Sequence, residues 1–195
     1  MALSLYAAPS IEPVSLDDAK GHLRVDVADE DGLIAGLIES ARQWVEAFTH
    51  RKLLTQTWDL KMDAFPCGEI VLPFPPVSAV SSITYVDTSG TTQTWSASLY
   101  TTDLPSGPEA MPGRIVPVYG GYFPSTRCVP NAVTVRFVCG YADEAAVPMS
   151  IRQAMLLLVG HWFAHRENVV VGNVSNIISE TPVTVQALLT PYYVA

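Results

Sequence analysis

The stretch GHWFAHRE, residues 160–167, sets His161 and His165 four positions apart. On a helix that spacing stacks two imidazoles on one face, where they can share a metal ion. A zinc hydrolase of the HExxH type also needs Glu directly after the first His as general base. Trp162 stands there instead. A third ligand would have to be Glu167, His22 or His50, and no spacing ties any of them to the pair. The competing reading is structural: two histidines near the end of a packed helix meet its free carbonyls and its negative pole.

Other reactive patterns are missing from the sequence. There is no GxxxxGK or GxGxxG phosphate loop and no GxSxG elbow. The acids crowd before residue 50, at helix starts and on polar helix faces, with no spacing that marks a catalytic pair. The expectation is a chain without catalytic residues, cofactor or metal, and a metal-dependent enzyme is the remote alternative. Aromatic residues Trp58, Phe65, Phe74, Tyr85, Trp95, Tyr119 and Tyr122 offer faces for nucleobases. Few cations accompany them (Lys61, Arg114, Arg127, Arg136), so core and interface packing is the expected use.

Composition narrows the class. The 195 residues are 49% hydrophobic and only 15% charged, with a net charge of −8. That is ample core material and a low charge content, which suits a surface hidden against partners. An acidic chain is a poor nucleic-acid clamp, because gripping phosphate needs Lys and Arg to release counterions. Three cysteines, an odd number without a CxxC pair, fit reduced thiols in a cytosolic compartment better than a disulfide framework. The opening MALSLYAAPS lacks the basic start and long apolar run of a signal peptide. AMLLLVGHWF is too short to span a bilayer, so no membrane partner is expected.

The elements that must carry these residues follow from periodicity. SLDD at Ser15 is a capped helix start, with Leu16, Ala19 and Leu23 on one face. Asp29 is positioned to cap a second helix of about five turns, ending near His50. On it Leu33, Ile34, Leu37, Ile38, Ala41, Trp44, Val45 and Phe48 repeat at helical spacing, and Glu39, Arg42, Gln43 and Glu46 fill the other side. The segment 53–141 is β-rich: LTQTWDLKM alternates, SSITYVDTSGTTQTW reads as a hairpin turning at residues 87–90, and Val133, Val135, Phe137 and Cys139 share one side of a strand. PGRIVPVYGGYFPSTR reads as loop. Helix returns at Pro148, with Ser150 and Gln153 as a capping pair, and is apolar all round from Ala154 to Val159. Residues 168–181 read as a loop or arm. The end, VQALLTPYYVA, reads as a short apolar tail stopped by Pro191.

The expected architecture is α+β in a single domain. A small helical body (residues 13–52 and 147–167) brackets an inserted β-rich lobe (53–141), followed by a loop and docking tail (168–195). This order of segments resembles the head–tail connector (adaptor, or head-completion) proteins of tailed bacteriophages. The likeness rests on HLRVD, the acid-led start of the long helix, its basic end before TQTW, the hairpin PVSAVSSITYVDTSGTTQTW, and the blocks GRIVPVYGGYFPSTR, HWFAHRE and VQALLTPYY. It extends over residues 13–193; the apolar stretch VVVGNVSNIISE departs from the family's usual loop.

The resemblance implies a structural virion protein of the neck, present in the host cytoplasm during assembly. It implies a homo-oligomeric ring, commonly of twelve copies, under the portal protein. Such a ring extends the DNA channel without sequence-specific binding and receives the next neck, stopper or tail protein. A tail-completion or terminator subunit of the same machine is the alternative. For contact with partners the expected residues are the helix face Glu39, Arg42, Gln43 and Glu46, and the tail residues Leu188, Leu189, Tyr192 and Tyr193.

Overall fold

The computed structural model describes residues 1–165 and 183–194. The expected arm at 168–181 lies outside them. Among the described residues, four helices and eight strands form an α+β fold with two apolar cores, one helical and one between β-sheets.

Helix α1 (Leu16–Leu23) starts as its sequence dictates. Ser15 is extended and its Oγ accepts the Asp18 N–H at 3.0 Å, satisfying an orphan donor of the first turn. Helix α2 (Asp31–Thr49) begins one residue later than expected. Glu30 is the capping residue rather than Asp29, and its side chain makes no capping bond. Both helices stop where one residue turns left-handed, Arg24 after α1 and His50 after α2.

Helix α3 (Met149–Ala164) is the central rod. Its capping residue is Pro148, and Ser150 does not form the expected capping pair with Gln153. Ser150 Oγ lies 2.8 Å from the Tyr192 hydroxyl instead, because the C-terminal segment crosses the start of α3. Ile34, Ile38, Ala41 and Val45 of α2 pack with Ile151, Ala154, Met155, Leu158 and Val159 of α3, all in one buried cluster. A short helix α4 (Val183–Leu189) closes the bundle by adding Val185 and Leu189 to that cluster.

The lobe is a two-layered antiparallel sandwich. Strands β1 (Ala2–Ala7), β2 (Gln56–Met62), β4 (Val77–Val86), β5 (Thr92–Thr94) and β8 (Val133–Cys139) form the wide sheet, ordered β1-β2-β8-β4-β5. Strands β3 (Ile70–Leu72), β6 (Tyr100–Asp103) and β7 (Gly113–Pro117) form the narrow sheet, ordered β3-β7-β6. The alternation in β8 is realised in full: Val133, Val135, Phe137 and Cys139 are buried and the residues between them are not. They meet Ile70, Leu72 and Ile115 of the narrow sheet in the second core. The hairpin turn falls where expected, with the Gly90 N–H donating to the Asp87 carbonyl at 2.9 Å.

Two stretches differ from the sequence reading. GRIVP is not loop but β7, the central strand of the narrow sheet. Its Pro and Gly neighbours mask a five-residue strand with only Gly113 and Ile115 buried. Residues 2–7 were not assigned to the lobe, yet β1 pairs with β2 and forms the margin of its wide sheet.

Body and lobe join through residues 49–55 and 139–141. Gly140 has φ +99° there, and a Cβ on it would fall onto the Leu54 carbonyl. Only glycine brings these two chain segments so close.

Candidate assembly surfaces

Half of the α2 face expected to meet a partner is internal. Arg42 is 8% exposed and Glu46 5%. Arg42 Nε donates to Glu12 Oε2 at 2.7 Å. Burial draws its pKa down, but the Glu12 hydrogen bond and the charges of Glu12, Glu46 and Glu39 outweigh that and leave it raised. Glu46 serves the joint. Its Oε1 accepts from the Leu53 N–H and from Gln56 Nε2, both at 3.1 Å, and Lys52 Nζ reaches Oε2 at 2.9 Å. Helical spacing placed these two residues on the polar side. It could not show that residues 8–12 and 51–56 fold over that side. Glu39 and Gln43 stay exposed and bond to each other at 3.0 Å.

The C-terminal tail docks on its own subunit. Leu189 is fully buried in the helical core, and Leu188 and Tyr192 pack half-buried against it. Three consecutive residues at the end of α2 hold the segment: Thr49 O accepts the Val194 N–H at 3.1 Å, the His50 ring bonds the Val194 carbonyl at 2.9 Å, and Arg51 Nε donates to the Tyr192 carbonyl at 2.5 Å. Burial lowers the pKa of Arg51, partly offset by Tyr141 beside it. Leu189, one of the tail residues expected at a partner, fills this chain's own core. Tyr193 remains half exposed, its ring against His50 and Phe48. Beside it a groove of about 400 Å³ is lined by His50, Val71, Pro73, Phe74, Pro112 and Val194.

The histidine pair sits at the end of α3. His165 is the C-terminal cap, and both its N–H and its Nδ1 approach the His161 carbonyl, at 3.0 and 2.9 Å. The rings are tilted by 34° to each other, with centroids 4.7 Å apart. This is a capping arrangement. His50 is engaged with the tail, at the other end of the body, and Glu167 lies outside the described residues. No group of three or more metal-ligating side chains occurs among the described residues, and no helix among them is long and apolar enough to cross a membrane.

Two surfaces of the lobe escaped the sequence reading. On β1, Leu3 and Leu5 are 39% and 49% exposed and Tyr6 is more so. Tyr119 and Tyr122, in the loop after β7, stand almost wholly in solvent. The alternation in ALSLYA was the available signal for the first. For the tyrosines, only the two glycines between them, Gly120 and Gly121, distinguished them from core aromatics.

Residues 13–93 match the family model described as phage gp6-like head-tail connector protein. No curated protein matches the chain. Among solved structures, a chain from "Neck of empty GTA particle computed with C6 symmetry" superposes with a TM-score of 0.80 at 23% identity, covering 100% of this chain and 96% of that one. A chain from the virion of a native gene transfer agent particle gives 0.79 at 22%, with the same coverage. One from the neck of a native particle computed with C12 symmetry gives 0.76 at 19%. At such identities the shared property is the fold, and it is shared from end to end. Residues 13–93 thus match the model of the phage gp6-like head-tail connector proteins, and the whole chain has a fold similar to that of a chain in the neck of a gene transfer agent particle.

Proposed function

We propose that this chain is a non-enzymatic structural subunit of a phage-type neck. It forms a ring of twelve copies between portal protein and tail, and the ring prolongs the DNA channel. The observation that carries the reading is the end-to-end fold match to neck chains, joined to the connector sequence of residues 13–93. The C6 and C12 symmetry of those necks supports a closed ring of copies. The net charge of −8 suits a wall that lets DNA pass without gripping it.

Within this reading Glu39 and Gln43 on α2, and Tyr193 beside the groove at His50, are the members of the expected contact set that remain free to meet portal or the next neck protein. Arg42, Glu46 and Leu189 act indirectly, by shaping the subunit that presents them. The test is an in-frame deletion of this chain in the producing cell. DNA-filled heads without tails should accumulate in electron micrographs and should be rescued by the chain in trans. Normal numbers of tailed particles from the deletion would overturn the reading.

A further inference from the structure

The lobe has two unlike apolar margins. One is β1. In its register with β2, Leu3 faces Leu60 and Leu5 faces Trp58, so Leu3 and Leu5 continue the sheet's core-facing row. Leu60 is fully buried, yet Leu3 and Leu5 are 39% and 49% exposed. The reason is width: three strands lie over five, and at about 4.8 Å per strand the cover falls short by roughly 10 Å. Among the described residues β1 pairs with β2 alone, and its other edge presents backbone donors and acceptors that none of them pairs. Proteins usually blunt such an edge with Lys, Pro or a buried charge. ALSLYA contains none of these.

The other margin lies at the strand ends, in the connection between β7 and β8. The loop carrying Tyr119 and Tyr122 is fixed there: Val118 N–H donates to the Leu99 carbonyl at 3.1 Å, Gly121 N–H to the Val118 carbonyl at 2.8 Å, and the Phe123 ring stacks on Phe65 at 5.0 Å. Arg127 N–H reaches the Val86 carbonyl beside the β4–β5 turn at 3.0 Å. The two tyrosines, with half-exposed Leu99, are therefore held out from a well-tied base. Aromatic side chains on a rigid base are what anchors an interface.

We infer that these margins are the two halves of one head-to-tail contact: the β1 edge of one copy receives the Tyr119–Tyr122 loop of the next. A closed ring needs two different patches on each subunit, related by the ring's rotation rather than by a twofold axis. Two dissimilar patches on one lobe supply that. The occupant is a second copy of this chain, and the inference rests on the ring reading above.

The experiment uses the full chain with the exposed thiols removed (Cys67→Ser, Cys128→Ser), carrying Leu5→Cys and Tyr122→Cys together or singly. After a short bis-maleimide, the double variant should give a ladder of covalent multimers on a denaturing gel, and each single variant no species beyond a dimer. Leu3→Asp with Leu5→Asp should lower the multimer population in native mass spectra by about tenfold or more, with an unchanged melting temperature showing that the fold persists. Multimers of the unaltered chain without a ladder, or unaffected by the aspartates, overturn the assignment and leave the ring reading standing. A chain that shows no multimer at any concentration overturns both.

Discussion

Glu46, in the last turns of α2, accepts the backbone N–H of Leu53 at 3.1 Å. The bond crosses the joint between body and lobe, and the same carboxylate holds Gln56 and Lys52. Removing a buried acceptor strands its donors, which costs more than the bond itself contributes. Glu46→Ala is expected to destabilise the protein by about 3 kcal/mol, because Lys52 and the Leu53 N–H lose their partner together. Glu46→Gln keeps one acceptor oxygen and should cost about half as much. Urea unfolding of the three proteins checks the order.

Leu189 and Tyr193 separate two roles within one tail. Leu189→Ala opens a hole in the helical core where Leu189 is fully buried, and should cost about 2–4 kcal/mol. Tyr193→Ala should change the melting temperature little, since its ring is half in solvent. Deleting residues 183–195 removes Val185 and Leu189 together and should leave a body that melts early. If the truncated chain melts with the intact one, the tail is not part of the core.

The difference between what was and was not legible in the sequence lies in range. Ser15, the five turns of α2 and the alternation of β8 are set by neighbours within a few residues, and the structure has them where local spacing puts them. Arg42 and Glu46 obey the same periodicity but are covered by segments about 30 and 7–10 positions away. Helical spacing reports which side a residue faces and says nothing of what later lies over that side. The strand β7 was hidden by short length and flanking Pro and Gly. Strand β1 is defined by pairing with residues 50 to 59 positions on. The contact set read from the sequence therefore divides into members that bind the subunit to itself and members still open to a neighbour.

Gly140 and Gly107 give a matched pair. Both have strongly positive φ, +99° and +106°. A Cβ on Gly107 meets open space, whereas on Gly140 it meets the Leu54 backbone. Gly107→Ala is expected to cost about 1 kcal/mol, the strain of the backbone alone. Gly140→Ala should cost at least about 3 kcal/mol, because strand and linker must also part. Thermal melts of the two variants decide it; equal losses would mean that the joint can yield.

The three thiols should separate by reactivity. Cys67 and Cys128 are exposed, and Cys139 is buried in the lobe core. Burial pushes the Cys139 thiol up to about 12, against an ordinary 9.0, so almost none of it is thiolate at neutral pH. A disulfide reagent should titrate two thiols per native chain at pH 8, and a third only in denaturant. Cys67→Ser with Cys128→Ser should leave a native chain that does not react.

Acid should weaken the lobe through Asp87. Its carboxylate receives the side chains of Ser89 and Gln93 and the backbone N–H groups of Ser89 and Thr91. Ser89 first, then Thr91 and Gln93, hold it down to about 2, against an ordinary 3.8. A carboxylate with a depressed folded value stabilises the fold above the unfolded value, and that contribution disappears as pH falls through the folded one. The window is therefore pH 4 down to 2. Asp87→Asn, which cannot ionise, should melt below the wild type at pH 7, and the gap should narrow across that window. Asp59, lowered by its hydrogen bonds from Arg136 at 2.8 and 2.9 Å, loses its contribution in the same direction. Asp59→Asn should therefore flatten the acid limb further in the double variant. Melting temperatures at pH 7, 4, 3 and 2 measure the effect, and a gap of constant size would show that the hairpin carboxylate does not couple to folding.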